Sequence, residues 1–146
     1  MALFAKIYLL INVLVWVSYG LACTVFPELF ITLGVYELGS WVEKTEVRAM
    51  YGGAQLAFGL LAALTLLNMK RHLHTSLLFF VLLFSGLALV RAAGMVMDGP
   101  GLGLDITAGT DPEGYNGGAL WFFELPMLAM SLLLYRHFSR HPFAAQ

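Results

Sequence analysis

Four apolar runs, roughly residues 7–26, 47–67, 73–97 and 118–138, decide most of what this chain can fold into. A helix crosses the ~30 Å hydrocarbon core of a bilayer in about 20 residues, and each run reaches that length. A soluble four-helix bundle would carry a charged face on every helix, and none of these runs has one. Apolar residues make up 60% of the chain and charged residues 12%, against about 45–50% and 25% in soluble domains. The expectation is an all-α membrane protein: one domain over 1–146, built as a four-transmembrane-helix antiparallel bundle.

The single cysteine, Cys23, excludes an intrachain disulfide and a cysteine zinc cluster. Lys6, the apolar run after it and Ala22-Cys23 raise the question of a cleaved leader. Gly20 stands where a lipoprotein signal wants a leucine-like residue, so the run is read as a retained membrane helix.

Charge sets the orientation. Lys6, Lys70, Arg71, Arg136 and Arg140 fall at the N-terminus, in the second connection and at the C-terminus, together with His72, His74, His137 and His141. Glu28, Glu37, Glu43, Glu46, Asp98, Asp105, Asp111 and Glu113 fall on the other side, with Lys44 and Arg48. The positive-inside rule then puts both termini in the cytoplasm, and the expected location is a bacterial inner membrane. The basic side suits anionic lipid headgroups, and no nucleic-acid partner is implied. His72 and His74 offer two metal ligands with no third at a recognisable spacing, so neither a metal nor another cofactor is expected.

Along the chain, Asn12, Tyr19 and Phe26 share one face of the first helix, with Trp16 and Cys23 beside it. Asn12 and Tyr19 are expected to bond between helices. Pro27 ends that helix, and Tyr36 and Trp41 fit an interfacial aromatic belt. Ser40-Trp-Val-Glu43 reads as a capping box that opens the second helix. On it Arg48, Gly52, Gln55 and Gly59 form one stripe, expected to be polar and partly hollow. Ala49, Gly53 and Ala57 form a small-residue ridge, expected to pack a neighbouring helix. A short basic hairpin, residues 68–74, leads to the third helix, where Arg91 and Asp98 share a face.

The extracytoplasmic loop 98–117 holds six glycines and two prolines, and its acids do not follow an EF-hand spacing. In the fourth helix Glu124 and Ser131 share a face, with Trp121 nearby. Pro126 removes a backbone donor one turn earlier, near Phe122, and should kink the helix there.

Counted inward from the extracytoplasmic ends, Tyr19, Gln55, Arg91 and Glu124 all lie about two turns, or ~10 Å, deep, with Arg48 above them. A charge inside a bilayer costs at least ~2.5–3.5 kcal/mol, so such residues pair and default to a functional hypothesis. One reading is a structural salt bridge, with Arg48 reaching to headgroups. Another is an anion-seeking pocket. There Arg48 and Arg91 hold a carboxylate or phosphate, Trp16 and Trp121 wall it, and Gly52 and Gly59 make room. A proton path would have only Glu124 to titrate. Catalysis would use Glu124 as acid or base and Tyr19 as donor, but no nucleophile–base pair or metal set accompanies them. Whether the chain is an enzyme stays open.

Arg48-Ala-Met-Tyr-Gly-Gly-Ala-Gln-Leu-Ala-Phe-Gly-Leu, then Arg91-Ala-Ala-Gly-Met-Val-Met-Asp-Gly-Pro100, then Glu124, together resemble the DUF4345 family of small membrane proteins over about residues 5–138. The third loop is longer than that family's pattern. The resemblance implies a four-span fold and lends no activity. Two functions remain. The first is a membrane protein whose outer-leaflet pocket of Arg48, Gln55, Arg91, Glu124, Tyr19 and Trp121 binds an amphipathic anionic, lipid-like molecule. The second is a non-catalytic accessory subunit of a homo-oligomer or larger membrane complex.

Overall fold

The computed structural model describes residues 1–28, 41–97 and 119–141. Every element among them is helical: α1 (Ala2–Val25), α2 (Trp41–Val47), a π-helical segment (Arg48–Gly53), α3 (Ala54–Leu67), α4 (Met69–Met97), a second π-helical segment (Leu120–Glu124) and α5 (Leu125–Arg140). Among the described residues three helical stretches are long and apolar enough to cross a membrane: Ala2–Val25, Lys44–Leu67 and Met69–Met97. Large apolar side chains stand exposed on them, among them Leu14, Leu60, Leu64, Leu82, Leu89 and Val90, as a lipid-facing surface requires and a water-facing one does not. The chain is a helical protein of membrane character.

Hydroxyl side chains follow the same logic. Ser18, Thr24 and Thr65 donate to carbonyls four residues back, on Leu14, Gly20 and Leu61, and Ser131 donates to Leu128. Bonding back to the parent helix satisfies a hydroxyl where no water is at hand.

The chain divides into two units, Met1–Leu73 and His74–Gln146. In the first, α1 packs along the Arg48–Gly53 segment and α3. Gly20, Gly52 and Gly59 let the backbones close up. A Cβ on Gly20 would lie 2.8 Å from Leu56 N, one on Gly59 2.5 Å from Val17 Cγ2, and one on Gly52 would run into Thr24 Oγ1. Trp16 meets Phe58 edge-on at 5.7 Å. The expected stripe is therefore one face, but it is filled by α1 rather than hollow. Ala49, Gly53 and Ala57, expected to pack, are exposed. The two faces exchange roles because glycine allows a closer approach than alanine, and the stripe holds two glycines, both buried, where the ridge holds only Gly53, which is exposed.

Three further differences are local. Asn12 is satisfied within α1, not between helices: its Nδ2 donates to Tyr8 O at 2.9 Å and its Oδ1 accepts from Trp16 Nε1 at 3.0 Å. The basic hairpin shrinks to Asn68 alone, and α4 begins at Met69. Asn68 Oδ1 accepts from Arg71 N at 3.3 Å, the N-cap bond that lets a helix start at once. Finally, Pro126 is preceded by a π turn: Leu125 N–H reaches Leu120 O, one residue beyond the α partner. A proline at 126 offers no N–H to Phe122 O and crowds it, and a widened turn relieves both.

In the second unit Phe80 stacks with Phe84 at 6.2 Å, and Phe84 meets Phe123 edge-on at 5.7 Å. Ala88, Met95 and Leu120 form a buried cluster with Ala92 and Leu125 against it. Toward the other end of α5, His74 Nε2 lies 3.1 Å from Ser139 Oγ and its ring 4.7 Å from that of Tyr135. Tyr36, the Ser40 cap, Asp98 and the acids of the 98–117 loop lie outside the described residues.

Candidate functional site

Six residues were expected to line one pocket: Tyr19, Gln55, Arg91 and Glu124 at one depth, Arg48 above them, and Trp121. The structure places Tyr19, Arg48 and Gln55 in the first unit and Arg91, Trp121 and Glu124 in the second. Within each unit it brings particular members together.

Arg48 opens the first π segment, and its Nε donates to Thr24 O at 3.1 Å. Thr24 is in the last turn of α1, whose final carbonyls have no partner inside the helix and carry the negative end of its dipole. A guanidinium there closes the helix end. Gly52 abuts the same threonine, so the Arg48–Gly53 segment is shaped to the end of α1. Tyr19 packs against the buried pair Cys23 and Val47 and shares a side-chain hydrogen bond with Cys23. Gln55 follows the π segment by two residues, and its Oε1 is buried without a hydrogen-bond partner.

Beside this end of α1 lies an ion pair. Lys44 Nζ reaches Glu28 Oε1 at 2.9 Å. That hydrogen bond holds the Glu28 carboxyl below its ordinary range.

In the second unit Arg91 Nε donates to Glu124 Oε1 at 2.7 Å. The Glu124 side chain is 3% exposed and that of Arg91 34%. Glu124 closes the second π segment, and its Oε2 is buried without a partner. Both widened turns thus carry a residue singled out by sequence, and such turns recur at functional sites. Each also has a local cause, the glycine pair in one and Pro126 in the other.

Two grooves run along α4, the first of them reaching Arg91. The first, of about 590 Å³, is lined by Leu82, Leu83, Gly86, Leu87 and Val90, with Arg91 as its charged member. The second, of about 370 Å³, is walled by residues of α4 and α5, with Trp121 among them. Sequence reasoning found Arg91 and Trp121 but missed the leucines and Gly86, because a uniformly apolar helix does not mark which apolar face is concave. No group of three or more metal-ligating side chains occurs among the described residues.

The Arg91–Glu124 pair fits the structural reading of a membrane salt bridge. The groove beside Arg91 has a further property: among its described residues it is an apolar trough with one cation, the outline of an amphipathic anion. A family model described as "Domain of unknown function (DUF4345)" matches residues 4–104, which include Tyr19, Arg48, Gln55 and Arg91 but stop before Trp121 and Glu124. No curated protein and no solved structure matches the chain.

Proposed function

The chain belongs to the DUF4345 family, and we propose that it is a four-span protein of the bacterial inner membrane, both termini cytoplasmic, that binds an amphipathic anionic lipid-like molecule in the outer leaflet. The observation that carries this is Arg91. Among the described residues it is the charged member of a groove lined also by Leu82, Leu83, Gly86, Leu87 and Val90, and its Nε is held by Glu124. Ligand sites of several hundred Å³ are mostly apolar with a few placed polar groups, and this groove has that character. A phosphate or carboxylate at Arg91 with its chain along the leucines satisfies both parts.

Gly86 supplies the test. A Cβ there meets nothing within 4 Å, so Gly86→Leu fills the groove without displacing backbone. Native mass spectrometry of the full chain in mild detergent should show an amphipath retained by the parent and lost from Gly86→Leu. Gly94→Leu, whose Cβ also meets nothing within 4 Å, is the control and should retain it. A Gly86→Leu protein that keeps the parent's lipids overturns the proposal.

A second reading, an accessory subunit of a homo-oligomer or larger complex, is favoured by the exposed ridge Ala49, Gly53 and Ala57. Small residues at this spacing admit a neighbouring helix closely. The mass of the complex in mild detergent decides it: a stable heteromer or oligomer supports the reading, a lone chain opposes it.

A further inference from the structure

The second groove carries a hydroxyl that its own helix does not use. Ser18, Thr24, Thr65 and Ser131 each donate to a carbonyl three or four residues back. Ser85, half-buried on α4, has no hydrogen-bond partner among the described residues and lines the groove of about 370 Å³. A hydroxyl left unpaired in hydrocarbon is costly, so one that opens into a groove calls for an acceptor there. Around it the described lining is apolar or aromatic. Ala88 and Ala92 share its face of α4, and Trp121, Leu125 and Leu128 come from the π turn and α5, all within the second unit.

Depth decides what the acceptor can be. α4 runs from Met69 to Met97 and is long and apolar enough to cross a membrane. Ser85 stands about 18 Å from the nearer end of that helix, Met97, at 1.5 Å per residue. Half of a hydrocarbon core is about 15 Å, so Ser85 lies near the middle of the bilayer. A phospholipid presents only methylenes at that depth, because its phosphate and ester oxygens lie out toward the headgroups. A charged acceptor would cost at least ~2.5–3.5 kcal/mol there. The acceptor is therefore neutral and belongs to a molecule that itself dissolves in hydrocarbon. The short side chains of Ala88 and Ala92 leave a flat strip beside Ser85, which suits a planar group better than a branched one.

We propose that the second groove binds a neutral quinone with an apolar tail, one ring carbonyl accepting a hydrogen bond from Ser85 Oγ. Such a molecule is uncharged, planar, soluble in the bilayer interior and equipped with carbonyl acceptors. The site is distinct from the trough at Arg91 in lining and in ligand class, and it stands whether or not that trough holds an anion.

The test follows thermal unfolding of the full chain in one mild detergent, titrated with 2-decyl-1,4-benzoquinone or with decylbenzene. The two probes share ring size and tail, and only the quinone has carbonyls. A ligand that binds the folded chain raises the midpoint by mass action, which yields an apparent affinity for each probe. The parent should hold the quinone about fivefold more tightly than decylbenzene, as one neutral hydrogen bond allows. Ser85→Ala should bring the two probes within about twofold. That variant loses a hydroxyl without a partner among the described residues and gains a better helix former, so it should fold. Gly86 lines the first groove and not the second, so Gly86→Leu should keep the parent's preference. Equal binding of the two probes by the parent overturns the inference, and so does an undiminished preference in Ser85→Ala. A preference lost in a folded Gly86→Leu overturns it as well, because it moves the quinone to the trough at Arg91. If Ser85→Ala does not fold, the parent's contrast and Gly86→Leu decide.

Discussion

Arg91 Nε and Glu124 Oε1 meet at 2.7 Å from positions 33 residues apart, one on α4 and the other closing a π turn at the start of α5. The contact is asymmetric, with the carboxylate buried and the guanidinium about one-third exposed. Removing either partner from a buried pair costs ~3–5 kcal/mol, because the survivor is left buried and uncompensated. Arg91→Met should therefore destabilise by about 3 kcal/mol, at the lower end because Arg91 is partly exposed. Arg91→Met/Glu124→Met should recover most of that loss. Thermal unfolding of the four proteins in one detergent gives the coupling directly. Additive losses would mean that the pair contributes nothing as a pair.

The glycines divide into two sets with opposite signs. Alanine at Gly20 would place Cβ 2.8 Å from Leu56 N and 2.9 Å from Gly52 O, backbone atoms that cannot step aside. Gly20→Ala should destabilise by about 1–3 kcal/mol, the usual cost of overpacking. At Gly86 and Gly94 a Cβ meets nothing within 4 Å. There alanine should stabilise by up to about 1 kcal/mol through helix propensity alone. A midpoint that rises in Gly20→Ala would show that α1 does not approach Leu56 as described.

These glycines also show what the sequence revealed and what it did not. That Arg48, Gly52, Gln55 and Gly59 share a face follows from helical spacing. Which neighbour the face meets does not, because in a helix apolar all round neither the stripe nor the ridge is marked as interior. The pairing of Arg91 with Glu124 was legible, since a charge in lipid needs an opposite charge and Glu124 is the only acid within the four apolar runs. The π segments were not. A turn of five or six residues is too short for its apolar pattern to separate a π from an α period. Only the glycine pair Gly52-Gly53 and Pro126 hinted at trouble in the ladder.

Arg48 is predicted to act on helix ends rather than on ligand. Its bond to Thr24 O should be worth about 1 kcal/mol, because the side chain is exposed. Arg48→Gln should lower the unfolding midpoint and leave the set of co-purifying lipids unchanged. Loss of those lipids from a folded Arg48→Gln would return this arginine to the ligand site.

Acid should weaken the contact between Glu28 and Lys44. The Glu28 carboxyl is held below its ordinary range by the Lys44 hydrogen bond. A group depressed in the folded state contributes stability above its unfolded value, near 4.3, and loses it as pH falls through the folded value. Both side chains are exposed, so the effect is small. Between about pH 5 and pH 3 the parent should lose slightly more thermal stability than Glu28→Gln. Identical pH profiles for the two proteins would show that the bridge is not formed.

The last prediction concerns how Glu124 comes to face Arg91. Leu125 N–H bonds to Leu120 O, so the turn Leu120–Glu124 holds one residue more than an α turn. Pro126 is the physical reason: with alanine there, an N–H becomes available to Phe122 O and the crowding of that carbonyl disappears. Pro126→Ala should let the segment tighten to α geometry, which turns its residues relative to α5 by part of the ~100° that separates neighbours on a helix. The helix itself should gain stability. The Arg91–Glu124 coupling should fall from about 3 kcal/mol to under about 1 kcal/mol as the carboxylate swings away from Nε. The double-mutant cycle repeated in the Pro126→Ala background measures this. A coupling as large as the parent's would mean that packing around Leu120, and not the missing N–H of Pro126, sets the wide turn.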